Sequence, residues 1–245
     1  MSSRLPGQKQ GRRAGLDRRR DAADLVGRKT PLELHGWLGE DRLFTPMGYE
    51  PGYDYPLLVW LRDESTPRRF DLARVMTRVS LRNFIAVQPM PETAAPPTTS
   101  TEEMVWRSID RVCERLSIHG RRIFLVGHGH GGTEAFRIAC RYPEAFGGVV
   151  SLGGPFPLDE GLFARIAELR RLPMLLCCRH GRSGGSRAAH VDRTLRLFHA
   201  AGASLAMRIY PDRSHLAPCV LADVNRWLMD EVCGTPASVP TLSTS

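Results

Sequence analysis

The sequence predicts a three-layer α/β protein, a mainly parallel central sheet with helices on both faces. Three observations predict it. Apolar runs alternate with segments of helical spacing along most of the chain, which is how successive strand-helix units are written. Those runs are apolar throughout rather than at every second residue, as strands covered on both faces must be. Finally, Ile123-Phe-Leu-Val126 feeds a glycine-dense turn, Gly127-His-Gly-His-Gly-Gly132, which opens directly into an apolar stripe of Ala135, Phe136, Ala139 and Cys140 at helical spacing.

The chain is long enough, at 245 residues, for one domain with a sizeable core and tails. Residues 1–30 carry nine Arg and Lys against three Asp, so this arm holds six of the eight net positive charges. It has few apolar residues to bury and is expected to be disordered. No aromatic residues interleave its arginines, which argues against stacking on single strands and leaves only weak contact with nucleic acid or anionic lipid through charge. The near-neutral body, residues 31–233, is expected to form the domain. Residues 234–245 are uncharged and rich in Pro, Ser and Thr, and are read as a disordered tail.

Between Pro31 and Pro56 the short apolar pieces Leu32-Glu-Leu34, Trp37-Leu38 and Leu43-Phe44 predict one or two antiparallel edge strands. Leu57–Leu61 is the first buried strand. Phe70, Leu72, Val75, Met76 and Val79 mark a helix, and Asn83–Val87 the next strand, ended by Pro89. A Pro/Thr-rich loop runs to Ser100, which makes a capping box with Glu103 for a helix striped by Val105, Ile109, Val112 and Leu116. After the glycine turn and its helix come a strand at 149–152 and a short helix around Leu162, Ile166 and Leu169. Met174–Cys178 is a strand, Val191, Leu195 and Phe198 mark a helix, Leu205–Tyr210 is the last strand, and Val220–Leu228 lies in the last helix.

No apolar run reaches the ~18 residues a membrane span needs, and no secretory signal opens the chain. The six cysteines show no C-x-x-C and no small disulfide framework, as suits a reducing cytoplasm. Vicinal Cys177-Cys178 are expected to pack one on each face of their strand.

The turn admits two motif readings. Gly127, Gly129 and Gly132 satisfy G-x-G-x-x-G, the dinucleotide fingerprint, but that motif needs an acidic residue about 20 positions on to hold a ribose. The next strand ends instead in Ser151, Gly153 and Gly154. The other reading is the strand-turn-helix elbow written G-x-S-x-G, with Gly127 and Gly131 as its flanking glycines and Gly129 at the centre, where the nucleophile belongs.

From Tyr53 to Val232 the chain resembles the small, lidless α/β hydrolases of the carboxylesterase, phospholipase and dienelactone-hydrolase type. The resemblance rests on Pro56–Leu61 entering the loop beyond it, on the glycine turn with Gly-Gly-Thr133, and on Ala201-Gly202, a strand, Tyr210-Pro211 and then His215. It implies the α/β-hydrolase fold and, in active members, a Ser-His-acid triad with an oxyanion loop. His215 matches the histidine. Gly129 stands at the nucleophile, Gly184 at the acid, and Arg62-Asp63 replace the His-Gly of the oxyanion loop. Gly129, His130, Gly184 and His215 are expected to converge at the C-terminal edge of the sheet.

The expected role is therefore an esterase-like fold that binds without hydrolysing. Arg62, Asp63, His128, Gly129, His130 and His215 form the candidate site, and a small acyl or anionic ligand or a protein partner is the expected occupant. One alternative is an active hydrolase with an unorthodox site, for which Ser151, Ser183, Ser186 and Ser214 are the candidate stand-in nucleophiles and Asp159 and Glu160 the candidate acids. The other is an adaptor working through the basic arm. His128, His130, His180 and His215 lack the spacing of a closed zinc site, so neither metal nor cofactor is expected.

Overall fold

The computed structural model describes residues 35–63, 70–92, 99–158, 161–180, 184–211 and 214–233. The basic arm and the C-terminal tail lie outside these residues, as do Asp159, Glu160 and Ser183. The architecture is an eight-stranded sheet in the order β1-β2-β4-β3-β5-β6-β7-β8. Strands β1 (His35–Leu38) and β2 (Asp41–Phe44) form an antiparallel hairpin, and β2 runs antiparallel to β4 (Ile85–Gln88). From β4 onward every pairing is parallel, through β3 (Tyr55–Leu61), β5 (Ile118–His128), β6 (Gly148–Leu152), β7 (Met174–His180) and β8 (Ala206–Pro211).

Alternation along the strands divides the core in two. On one face Leu57, Val59, Leu61, Ile123 and Leu125 pack with α2 (Thr101–Arg115) and α3 (His130–Arg141). On the other, Leu58, Trp60, Phe124 and Val126 pack with α1 (Leu72–Val79) and α6 (Pro218–Cys233). Phe198 of α5 (Gly184–Ala201) and Leu169 of α4 (Ile166–Leu169) join the first face. All seven residues of β3 are buried, which is why its sequence shows no alternation. Cys177 and Cys178 point to opposite faces, and burial pushes the Cys177 thiol up to about 12.

Helix α2 starts at the expected capping box: Glu103 N–H donates to Ser100 Oγ, and the Ser100 N–H donates to the Glu103 carboxylate. The hairpin is tied to this helix by Asp41. Its buried carboxylate accepts from Ser108 Oγ at 2.8 Å and from the Met90 N–H at 2.9 Å.

Three boundaries differ from expectation, each where the apolar signal stops short of the hydrogen bonding. Strand β5 begins at Ile118 rather than Ile123, because Tyr55 pairs with Ile118 before the register shifts to Leu57–Ile123. Its extra residues, His-Gly-Arg-Arg, carry no apolar signal. Strand β7 continues to His180, paired through Arg179 and His180 to Tyr210 and Pro211. Helix α5 begins already at Gly184, well ahead of its apolar residues; Thr194 and Phe198 are buried in it, whereas Leu195 is exposed.

Candidate functional site

The parallel strands end along one edge of the sheet, and the candidate residues gather at the ends of β3, β5 and β6 and in the connection after β8. β5 stops at His128 and α3 starts at His130, so the entire turn is one residue, Gly129. Its φ of 56° and ψ of −127° lie where a residue with a Cβ is strained, by about 1–3 kcal/mol. Glycine adopts this conformation without that cost. The turn is pinned at both sides, Gly129 N–H donating to Leu152 O at 3.0 Å and Gly132 N–H to Gly129 O at 2.9 Å. The neighbouring glycines permit backbone to touch backbone: a Cβ on Gly127 would meet Gly131 O at 2.1 Å, and one on Gly131 would meet Leu61 O at 2.4 Å.

The space beside Gly129 is filled. A Cβ placed on this residue would lie 2.2 Å from Asp63 Oδ2, 2.7 Å from its Cγ and 3.0 Å from its Cβ, and these are the three nearest heavy atoms. A carboxylate delivered from the end of β3 therefore occupies the volume into which a nucleophile's side chain would project.

His215 approaches from the connection between β8 and α6. Its imidazole lies on the Cα of Gly153, where a Cβ would stand 2.2 Å from Cε1 and 2.5 Å from Nδ1. Gly153, with φ 84°, provides that room, and its N–H donates to Cys177 O at 2.9 Å. The His215 and His128 rings meet edge to face with centroids 5.9 Å apart. Both histidines are half-buried, as is Asp63. Burial holds the His128 imidazole below its ordinary pKa; the Asp63 charge works against that shift, and the Arg179 charge reinforces it. At neutral pH His128 is an uncharged imidazole between a carboxylate on the β3 side and a guanidinium on the β7 side.

The structure thus brings Asp63, His128, Gly129 and His215 together, and it sends Arg62 and His130 elsewhere. Both of these line a neighbouring cleft with Leu61, Pro89, Thr101 and Glu134. The His130 side chain is largely exposed, with Nε2 3.5 Å from Glu134 Oε1. Gly184 heads a helix rather than sitting in a loop. Ser151 is fully buried and donates from Oγ to Gly154 O at 2.7 Å, and Ser214 Oγ accepts from the Leu216 N–H, so both serines serve the backbone. Among the described residues no three His, Cys, Asp or Glu side chains are grouped as a metal ion would require. No helix among them is long and apolar enough to cross a membrane.

Sequence reasoning named Asp63 as a candidate but not its place beside Gly129, since nothing in sequence spacing links residue 63 to residue 129, and it missed Gly153. Gly153 reads only as the wrong residue for binding a ribose. Its signal was a Gly-Gly pair at a strand end, which marks a close approach.

Solved structures that share this architecture include several hydrolases. A thermostable esterase aligns with a TM-score of 0.59 at 15% identity, over 78% of this chain and 58% of its own. S-formylglutathione hydrolase from Staphylococcus aureus aligns with a TM-score of 0.54 at 11% identity, over 78% of this chain and 92% of its own. A ferulic acid esterase aligns with a TM-score of 0.57 at 14% identity, with the same coverages. The chain spans little more than half the length of the thermostable esterase but most of the other two. No protein-family model and no curated protein matches the chain in sequence. Together with the sheet order and the turn, these likenesses give the fold: the chain has the α/β-hydrolase fold.

Proposed function

We propose that this chain is an esterase-fold binding protein that no longer hydrolyses esters, and that it holds a small acyl-bearing ligand or a protein partner at the Gly129 turn. The observation that carries this reading is the exchange at the turn. The nucleophile position has no side chain, and the Asp63 carboxylate fills the space left. Acyl transfer on this fold needs a hydroxyl to attack, an imidazole to take its proton and a carboxylate to fix the imidazole tautomer. On this reading the chain keeps the imidazole, His215, and lacks the hydroxyl at position 129. The His215 ring is held by the Gly153 backbone and the His128 edge, and the position expected to carry the acid is the first residue of α5. The oxyanion loop has become Arg62-Asp63, so a negative charge stands close to where an oxyanion would develop. That placement opposes the transition state it would have to stabilise.

Hydrolysis of p-nitrophenyl butyrate by the wild type and by His215→Ala tests the reading. Equal rates at the uncatalysed background are expected. Turnover well above background that vanishes with His215→Ala would overturn it. A second reading draws on the same carboxylate, with Asp63 attacking or taking a proton in an unorthodox hydrolase. In that case Asp63→Asn would abolish a measurable wild-type rate.

A further inference from the structure

We propose that the chain carries a second site, at the edge of the sheet opposite the Gly129 turn, and that this site takes a zwitterion of amino-acid size, an α-amino acid with an apolar side chain. It is independent of whatever the Gly129 turn binds.

The Gly129 turn follows the C-terminal end of β5. At the other edge, where the parallel strands begin, a cleft of about 220 Å³ opens at the starts of β7 and β8. Its apolar lining comes from Met174 and Ala206, the first residues of those two strands, and from Trp227 of α6. Met174 and Trp227 are buried, so they form its depth rather than its rim. The volume lies below the roughly 300–1,000 Å³ of drug-sized sites, which restricts the occupant to a small molecule.

Charge is divided across this cleft. Arg170 and Arg171 follow α4, which packs on one face of the sheet through Leu169, whereas Glu231 belongs to α6 on the other face. All three side chains belong to exposed residues. Among the described residues neither arginine forms an ion pair, with Glu231 or with any other carboxylate. Arg170 is nevertheless held in position, since its Nε donates to Ala201 O at 3.0 Å at the end of α5, leaving the Nη groups for a ligand. Glu168, the acidic side chain of α4, is turned to Arg165 at 3.4 Å, and the Asp230 charge adds to that of Glu231. The cationic and anionic sides therefore stay distinct.

A carboxylate alone would suit the arginines and leave Glu231 facing an anion, and an amine alone would do the reverse. A molecule bearing both charges answers both sides at once. An α-amino acid carries a carboxylate, which guanidinium groups grip through paired N–H donors, and an ammonium with three donors for Glu231. Its side chain leaves from the same carbon and can cover Met174 and Trp227. Each exposed charge contact is modest by itself, so affinity depends on the two ends and the apolar lining acting together.

The test compares leucine with its two one-charge analogues, 4-methylpentanoate, which lacks the ammonium, and 3-methylbutylamine, which lacks the carboxylate. Each is titrated into the full-length wild type, Glu231→Gln and the double variant Arg170→Gln/Arg171→Gln. The indole N–H resonance of Trp227, assigned with Trp227→Phe, is followed by NMR. In the wild type leucine should shift this resonance and bind about threefold or more tighter than either analogue, as exposed charge pairs allow. In Glu231→Gln the advantage of leucine over 4-methylpentanoate should disappear, and in the double variant its advantage over 3-methylbutylamine should disappear. If the double variant fails to fold for want of the Arg170 contact to α5, Glu231→Gln, an exposed change that keeps the shape, decides alone. Leucine binding no tighter than its analogues would overturn the proposal, as would an advantage over 4-methylpentanoate that survives Glu231→Gln. A Trp227 resonance unmoved by all three molecules would overturn it too.

Discussion

Restoring a serine at Gly129 separates two costs that coincide in this turn. The first belongs to the backbone. At φ 56° and ψ −127° any residue with a Cβ is strained, at about 1–3 kcal/mol. The second belongs to the neighbour. The new Cβ would stand 2.2 Å from Asp63 Oδ2, so the carboxylate must swing away or the end of β3 must shift. Forcing extra atoms into an occupied space costs about 1–3 kcal/mol. Gly129→Ser should therefore lose roughly 2–6 kcal/mol in the wild type but only the backbone part, about 1–3 kcal/mol, in an Asp63→Ala background. The expected coupling, about 1–3 kcal/mol, is well within what contacting residues show in double-mutant cycles.

Chemical denaturation of the four proteins measures the cycle, and thermal melts check it at about 2–4 °C per kcal/mol for a chain of this size. Equal destabilisation in both backgrounds would refute the claim that Asp63 occupies the nucleophile's space. A burst assay with an activated ester on the same proteins adds a chemical arm. On the proposed reading, in which His215 lacks its acid, Gly129→Ser should give no multiple turnover, since loss of that acid costs about 10⁴ in rate in the serine-protease triad. Rapid turnover would mean that some carboxylate already serves His215.

Two further outcomes follow from the histidine and from the head of α5. His128 has its pKa lowered by burial from the ordinary 6.5, so the unfolded chain binds more protons below that pH than the folded one. This contribution is therefore complete above about 6.5 and is lost as pH falls through the window beneath it. His128→Gln should flatten the stability-versus-pH curve of the wild type below about pH 6.5, and an unchanged curve would show that the imidazole is not held neutral. Gly184→Asp puts a carboxylate in the first turn of α5, where it should stabilise by about 0.3–1 kcal/mol through the helix dipole. It should give no ester turnover when combined with Gly129→Ser, and any activity gained in that double variant would restore position 184 as an acid site.

Most of the architecture was legible because burial writes itself into composition. β3 is buried at every residue and reads as an unbroken apolar run, and α2 announces both its cap and its stripe. What the sequence could not give was the extent of elements held by backbone pairing rather than by apolar side chains. The start of β5, with its exposed Gly120 and Arg121, and the first turns of α5 are of this kind. Edge strand β8 is a milder case, half-exposed along its length and yet set in register with β7 from Leu175 to His180.

The site was legible by half for a different reason. The positions where the resemblance expects a nucleophile and an acid, 129 and 184, are found by spacing along the chain, and both hold glycine. Asp63 is a substitution in space. It follows a strand that pairs with β5, so the parallel register, Leu61 opposite Gly127, is what carries residue 63 over to residue 129. Glycine at 129 and aspartate at 63 then stop looking like two separate losses. Either change alone would leave the turn in difficulty: an aspartate beside a serine would collide with it, and a glycine without the aspartate would leave the space beside the turn unfilled. Taken together they give one packed arrangement with a carboxylate beside the turn. That pairing is why the turn is better understood as rebuilt around a carboxylate than as eroded, and why the double-mutant cycle is the measurement that bears on it most directly.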